Sequence, residues 1–578
     1  VASYDTLSAQ GGVVSMVTSG AGIGRFTYDP PAGYEGADTF TYTLVDNSNA
    51  SSPVANRRAT VTINISGMIW FVNNNAPSGG DGRLSAPYNS IASFTSSAPD
   101  GNNDNIFVFE SATPYSGAIT LLSGQKLLGQ DASASLLSIT GYSLPTYSTA
   151  LPATNAGNGT SANLNSVITL GSGNTLRGFN IVTNGSVTGN NFGSCSMTDI
   201  SMNVANTALD LTTGSLNATL SSLTSTAGDT IVELNSIAGT TSIAGGSLSN
   251  ATLKSVFISG GTLNFTYSGD ITHTGSSAMV EVKDHSTGTI TFQTGTLNAT
   301  AGTGLQFNNA DGTYLFNGTA TLNGGDAGID IINGCAGSFT FANAPITNPS
   351  GPCVYINSST PGTISHAGTI SKNTAGRLVE VSSNASGTLT FSGNLSATSS
   401  STGILINSNS GTNTSFSGTS KVLNTGSSNA VSITSNSGTS TSFTNGGLDI
   451  DVTAGIGLNA PSGGTLSVTG SGNTITATSG TALSVVNTTI SPSGLIFQSI
   501  SSGAGANNGI VLDNTGSSGG LTVNGDNSNI TQGGNASGGT ITGKTGADGS
   551  LTSGIGIYLN NTALVTLRRM TLSNFENL

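Results

Sequence analysis

The sequence predicts an all-β chain in which a small antiparallel β-sandwich leads into a long parallel β-helix. Three observations predict it. Charged residues make up 7% of the 578 residues, glycine numbers 81, and Ser, Thr and Asn supply most of the polarity. An ordinary soluble domain carries about 25% charged residues. Before residue 67, segments alternate apolar and polar residues with period two; beyond it, pairs of branched apolar residues recur about every 25 residues.

This composition excludes several classes. Hydrophobic residues reach 35%, more than a disordered polar chain carries. A net charge of −13 with only 14 basic residues leaves no patch to neutralise nucleic-acid phosphates. No run of 18 apolar residues marks a membrane-spanning helix. With neither an initiator Met nor a leader, the chain reads as a mature or excised piece. Glycine without a three-residue period is not collagen. Cys195, Cys335 and Cys353 share no metal-binding spacing and read as small buried hydrophobes.

The first element spans residues 1–67. Thr39-Phe40-Thr41-Tyr42-Thr43-Leu44 and Thr60-Val61-Thr62-Ile63-Asn64-Ile65 alternate as half-buried antiparallel strands, and Asp29-Pro30-Pro31-Ala32-Gly33 supplies a turn. A complete immunoglobulin-type sandwich needs about 100 residues, so this one is expected to be N-terminally incomplete. The runs Gly24-Arg25-Phe26-Thr27-Tyr28-Asp29-Pro30 and Gly33-Tyr34-Glu35-Gly36-Ala37-Asp38-Thr39-Phe40-Thr41-Tyr42 resemble the cadherin- or Ig-like repeats of large bacterial surface proteins. Some such repeats bind calcium between modules. The resemblance therefore makes Asp29, Glu35, Asp38 and Asp46 calcium candidates, against turn-capping carboxylates as the alternative.

Residues 68–110 read as a β-helix cap with its first strands. Here lie Met68-Ile69-Trp70-Phe71-Val72-Asn73-Asn74 and the chain's single tryptophan, suited to covering an open end. Residues 111–578 read as the β-helix proper. Its first ladder is Leu209/Leu211, Val232/Leu234, Val256/Ile258, Val280/Val282, Leu305/Phe307, Ile329/Ile331, Val354/Ile356, Val379/Val381, Ile404/Ile406, Val431/Ile433, Ile456/Leu458, Leu483/Val485 and Ile510/Leu512, at steps of 23 to 27 residues. A second ladder runs through Phe292, Phe316, Phe341, Phe391, Phe416 and Phe443, with His366 in a Phe slot. His366 is expected to be a stacked ring with one nitrogen bonded to backbone or water.

Two strands and a more variable third per 25 residues, joined by Gly, Asn and Ser corners, describe one turn of a parallel β-helix. The 510 residues from 69 onward give about 20 turns, and strands about 4.8 Å apart give a rod of roughly 100 Å. Gly124-Gln125-Lys126-Leu127-Leu128-Gly129 returns as Gly173-Asn174-Thr175-Leu176-Arg177-Gly178 after 49 residues, read as about two turns. The step from Ile510 to Ile557 is 47 residues, again nearly two turn lengths, with a Gly-rich excursion from Asn535 to Ser553. Val565, Leu567, Met570 and Leu572 still alternate towards Leu578, so the C-terminal end is read as uncapped.

The run Trp70 to Ile91, the phrase Leu121 to Gln130, Gly509-Ile510-Val511-Leu512-Asp513-Asn514-Thr515-Gly516 and Gly556-Ile557-Tyr558-Leu559-Asn560-Asn561 resemble very large bacterial β-strand-repeat cell-surface proteins. In that family an Ig-like repeat feeds into a right-handed, pectate-lyase-like β-helix. The resemblance implies display on the cell exterior and little about chemistry.

Parallel β-helices also host polysaccharide lyases and glycoside hydrolases, whose chemistry needs acids on neighbouring turns. Asp330 and Glu380 share the outward column of the first ladder, two turns apart with Tyr355 between, and no basic residue accompanies them in sequence. Two turns span about 9.6 Å, the edge of the separation that inverting glycosidases use; the alternative is a solvated strand face. Asp449 and Asp451 flank Ile450 and point outward from one strand, which reads as a solvated strand face, with a calcium contact as the alternative. Lys283-Asp284-His285 reads as an exposed turn, His273 is isolated, and Arg568-Arg569 stand where the chain crosses to a next turn or partner. Asn-x-Ser/Thr sequons such as Asn158, Asn317 and Asn394 are expected by chance here. No P-loop, GxSxG or HExxH occurs.

The expectation is a structural or adhesive segment of an extracellular bacterial surface protein or fibre, without catalytic residues and without a cofactor other than calcium. Its partners would be copies of itself, neighbouring modules or glycans. The runner-up is a carbohydrate-active β-helix.

Overall fold

The computed structural model describes residues 1–45, 57–526 and 535–577; Asp46 and Leu578 lie outside the described residues. The chain is almost all β, with 2% helix. It forms two compact units, Val1–Asn203 with Asn217–Leu220, and Val204–Leu216 with Ser221–Leu578.

The first unit opens with β1 (Ser3–Tyr4), β2 (Val13–Met16), β3 (Phe26–Asp29), β4 (Gly36–Thr43) and β5 (Arg58–Ile65). β4 pairs antiparallel with β1 and β5, and β2 with β3. The two alternating segments are β4 and β5, and Phe40 faces Val61 across the pair. Their apolar faces close over Val14, Met16 and Phe40, joined by Tyr28, Tyr42 and Ile63.

Behind this Ig-like module the solenoid starts with parallel strands at Ile69–Val72, Asn105–Val108, Lys126–Gly129 and Asn174–Thr183. Trp70 is 1% exposed, donates Nε1–H to Asp104 at 2.8 Å and packs against Tyr88 and Phe94. Two short helices, α1 (Ile91–Ser97) and α2 (Leu136–Thr140), were not anticipated. In each a serine, Ser90 or Ser135, caps the first turn by accepting the backbone N–H three residues on. The Ig-like module is tied to the cap by Arg83, whose guanidinium reaches Asp29 at 2.9 Å and Asp81 at 2.7 Å.

In the second unit each full turn carries three strands, as in Val354–Asn357, Thr363–His366 and Ile370–Lys372. Each pairs in parallel with its counterpart one turn on, at Val379–Ser382, Gly387–Phe391 and Leu395–Ala397. Inward residues of the first strands, such as Val354, Ile356, Val379 and Val381, are at most 2% exposed. The residue closing the first strand is left-handed in turn after turn: Asn309, Asn333, Ser358, Ser383, Ser408, Ser435, Ser462 and Asn487 have φ between 49° and 59°. Asn and Ser can bond locally at such corners, which partly offsets the steric cost of positive φ.

Just inside that corner a buried asparagine ladder crosses turns. Asn384 N–H donates to Asn409 Oδ1 and Asn409 N–H to Asn436 Oδ1, both at 2.9 Å. On the second strand, Phe391, Phe416 and Phe443 stack at 5.0–5.1 Å between ring centres, within 15° of parallel.

The solenoid has about 17 turns, fewer than the 20 expected. Two long steps account for most of the difference. Leu127 pairs directly with Leu176, and Ile510 with Ile557. The 49- and 47-residue steps are therefore single turns carrying insertions, the first of which includes α2. The repeated glycine of the first phrase is a packing requirement: a Cβ on Gly129 would lie 2.0 Å from the Gly178 carbonyl oxygen. One ladder rung is also corrected. Val431 pairs with Leu458, so the inward pair is Leu458/Ala460 and Ile456 lies before the strand, partly exposed.

Candidate functional site

Along each first strand the residue between two core positions points away from the core. The register sets Glu233, Phe257, Glu281, Gln306, Asp330, Tyr355 and Glu380 in one outward column on successive turns. Two acid–aromatic–acid triplets result, separated by Gln306. In the first, Lys254 Nζ lies 2.9 Å from Glu281 and 4.0 Å over the Phe257 ring. Its acid and its aromatic are both engaged by one cation.

The second triplet is different. Asp330 is 7% exposed, so it is not the solvated strand residue that simple alternation predicts. Alternation gives the direction of a side chain; it does not reveal what neighbouring turns lay over it. No hydrogen bond or ion pair reaches its carboxyl among the described residues, yet its oxygens are not sealed from solvent. Burial, with the negative charge of Asp326 nearby, pushes this carboxyl up to about 7. Burial also raises the Tyr355 phenol, and the charges of Glu380 and Asp330 add to the effect.

A basic residue does accompany the pair, contrary to the expectation. Arg377 lies three residues before Glu380 and donates to the Thr402 carbonyl at 2.6 Å. Burial lowers its guanidinium, and Glu380 opposes that shift. The signal was in the sequence: Arg377 precedes the strand that carries Glu380, and a long side chain from that position can reach the outward face.

The proposed calcium carboxylates Asp29, Glu35 and Asp38 of the Ig-like module are each engaged by other groups. Asp29 is bound by Arg83 and by the Ser85 hydroxyl at 2.9 Å. Glu35 accepts the Gly67 N–H. Asp38 is 1% exposed and accepts from Ser8, Tyr28 and the N–H groups of Gln10 and Thr39. Burial alone would raise Asp38, but these bonds outweigh it and hold the carboxyl below its ordinary value. Asp449 accepts the Thr474 hydroxyl at 2.7 Å, and Asp451 is raised by burial and then by Asp449. Among the described residues, no group of three or more His, Cys, Asp or Glu is positioned to hold one metal ion.

All three histidines are buried. His273 bonds Ser255 and the Ser277 carbonyl at 3.2 and 3.0 Å. His285, expected in an exposed turn, instead bonds the Tyr314 hydroxyl and the Leu263 carbonyl, both at 3.1 Å. His366 occupies the slot between Phe341 and Phe391 at 6.0 and 6.2 Å, but its ring is tilted by 46° and 41° rather than stacked, and neither ring nitrogen has a hydrogen-bond partner. Arg569 donates to the Asn524 carbonyl at 2.6 Å. The three cysteines are buried and unpaired as disulfides.

Residues 1–66 match the family model of a bacterial Ig domain. No curated protein and no solved structure matches the chain. Among the described residues, no helix is long and apolar enough to cross a membrane. A bacterial Ig domain followed by a parallel β-solenoid of about 17 turns is thus the architecture of this chain, and it fits a bacterial surface protein.

Proposed function

We propose that the chain is a structural segment of an extracellular bacterial surface protein, in which the Ig-like module is a spacer and the solenoid a stiff stalk. The stalk makes multivalent contacts with surface glycans or with copies of itself. The observation that carries this reading is the turn-to-turn parallel pairing of all three strands, reinforced by the asparagine ladder and the phenylalanine stack. Such a repeat gains stability from each interface with its neighbours, and its outward faces supply hydroxyls and amides rather than charge. Electron microscopy of the secreted protein with immunogold labelling of cells tests it. Extended particles and surface label support the reading; globular particles without surface label overturn it.

The second reading is a polysaccharide lyase or glycoside hydrolase, favoured by one observation: burial pushes the Asp330 carboxyl up to about 7, and it stands two turns from Glu380. Release of reducing or unsaturated ends from a polysaccharide panel, lost in Asp330→Asn and in Glu380→Gln, is the result that this reading requires.

A further inference from the structure

We infer that the outward column of Asp330, Tyr355 and Glu380 is a binding subsite for a neutral saccharide ring. The inference deepens the proposed glycan contact of the stalk by naming one place and one ligand class. It starts from Asp330. A carboxyl that is 7% exposed and without a hydrogen-bonding partner loses solvation with nothing from the protein in return. Its oxygens stay open to solvent and unclaimed by the protein, so an incoming hydroxyl can donate to the carboxyl or accept from it.

The neighbours narrow the ligand. Tyr355 lies beside Asp330 on the next turn and is only partly buried, so its ring offers a flat apolar surface to the C–H face of a sugar. Glu380 follows on the turn after, with Arg377 next to it to counter its charge. Adjacent turns are about 4.8 Å apart, so one ring can meet Asp330 and Tyr355 together while a hydroxyl of the next unit reaches Glu380. A divalent cation suits the place poorly, since no three candidate ligands converge among the described residues. An anionic sugar would meet Asp326, Asp330 and Glu380, so the site favours a neutral one. In the first triplet Lys254 already engages Glu281 and Phe257.

The test is binding of the whole chain to an array of neutral cello-, manno- and xylo-oligosaccharides, with chito-oligosaccharide amines and uronates alongside. Saturable binding to a neutral oligosaccharide is expected. Asp330→Leu and Tyr355→Ala should each weaken it by about tenfold or more, the worth of one hydrogen bond to a charged group or one ring contact. Asp449→Asn, on another strand column, should leave it unchanged. Asp330→Asn keeps the shape and removes the charge, so its melting curve and retained partial binding separate loss of the site from loss of the fold. Binding confined to amines or uronates, or equal binding by all variants, overturns the inference. Extended, surface-labelled particles that bind no oligosaccharide overturn the site and leave the stalk standing.

Discussion

The side-chain oxygen of Asn409 accepts the backbone N–H of Asn384 at 2.9 Å, and its amide donates to the Val381 carbonyl at 3.0 Å. One side chain thus satisfies a donor and an acceptor of the preceding turn, and its own N–H is satisfied by Asn436. Asn409→Ala leaves the buried Asn384 N–H without its partner and removes the side-chain bond to the Val381 carbonyl. The expected loss is about 2–4 kcal/mol, read from the denaturation midpoint. Asn409→Asp retains the acceptor but not the donor, places a charge in a buried corner, and should be at least as damaging. An unchanged midpoint in both would show that the ladder adds nothing to turn-to-turn cohesion.

Arg83 joins the Ig-like module to the solenoid cap through Asp29 while Asp81 orients it from the same loop. The arginine side chain is 25% exposed and Asp29 42%, so screening limits the pair to about 1 kcal/mol. Arg83→Ala should therefore leave the global midpoint nearly unchanged while loosening the joint. Faster hydrogen exchange around Trp70 and Tyr88, with earlier proteolytic separation of the module, is the expected readout. Exchange rates identical to wild type would mean that apolar packing alone holds the joint.

How much of this was legible in the sequence follows from what a repeat records. Inward columns recur because every turn must fill the same core, so Val354/Ile356 and Val379/Val381 could be aligned by eye, and the strand order followed. The 49- and 47-residue steps are single turns with insertions, which spacing alone does not distinguish from two turns. The slip at Ile456 had a readable signal. A small residue precedes nearly every first strand, as in Gly328, Cys353, Gly403 and Ala430, because the neighbouring turn passes close by; at Gly457 a Cβ would meet the Ala482 carbonyl oxygen at 2.5 Å. The strand therefore starts at Leu458. The burial of Asp330 had no such signal, since it depends on how adjacent outward side chains lie across one another.

Lys421 is fully buried, and its ammonium donates to the carbonyls of Gly418, Thr444 and Gly446. Burial pushes it down to about 8 from an ordinary 10.5. Between those values the unfolded chain binds more protons than the folded one, so this group makes stability rise with pH across that window. Below it the cost of burying the charge is fully present. Wild type compared with Lys421→Met should therefore gain stability as pH is raised from 8 to 10.5. A difference that stays flat over that range, measured by urea denaturation at each pH, would show that the three carbonyls hold the ammonium near its ordinary value.

His366 interrupts the phenylalanine stack with a ring whose two nitrogens are buried and unpartnered. Burial pushes the imidazole down to about 4 from an ordinary 6.5, so the folded protein carries it neutral. Between those values the unfolded chain binds the extra proton, and the stability held above 6.5 is lost as pH falls towards 4. His366→Phe removes both the unpaired nitrogens and the titration. It restores a ring between Phe341 and Phe391, where the turns above and below already accept phenylalanine. The substitution should stabilise the chain by about 1–2 kcal/mol near neutral pH, and by more in acid. Thermal melts of the two proteins at pH 7.5 and pH ~4.5 check both parts. A destabilised His366→Phe would mean that the slot is narrower than its neighbours; equal acid sensitivity would place the titration elsewhere.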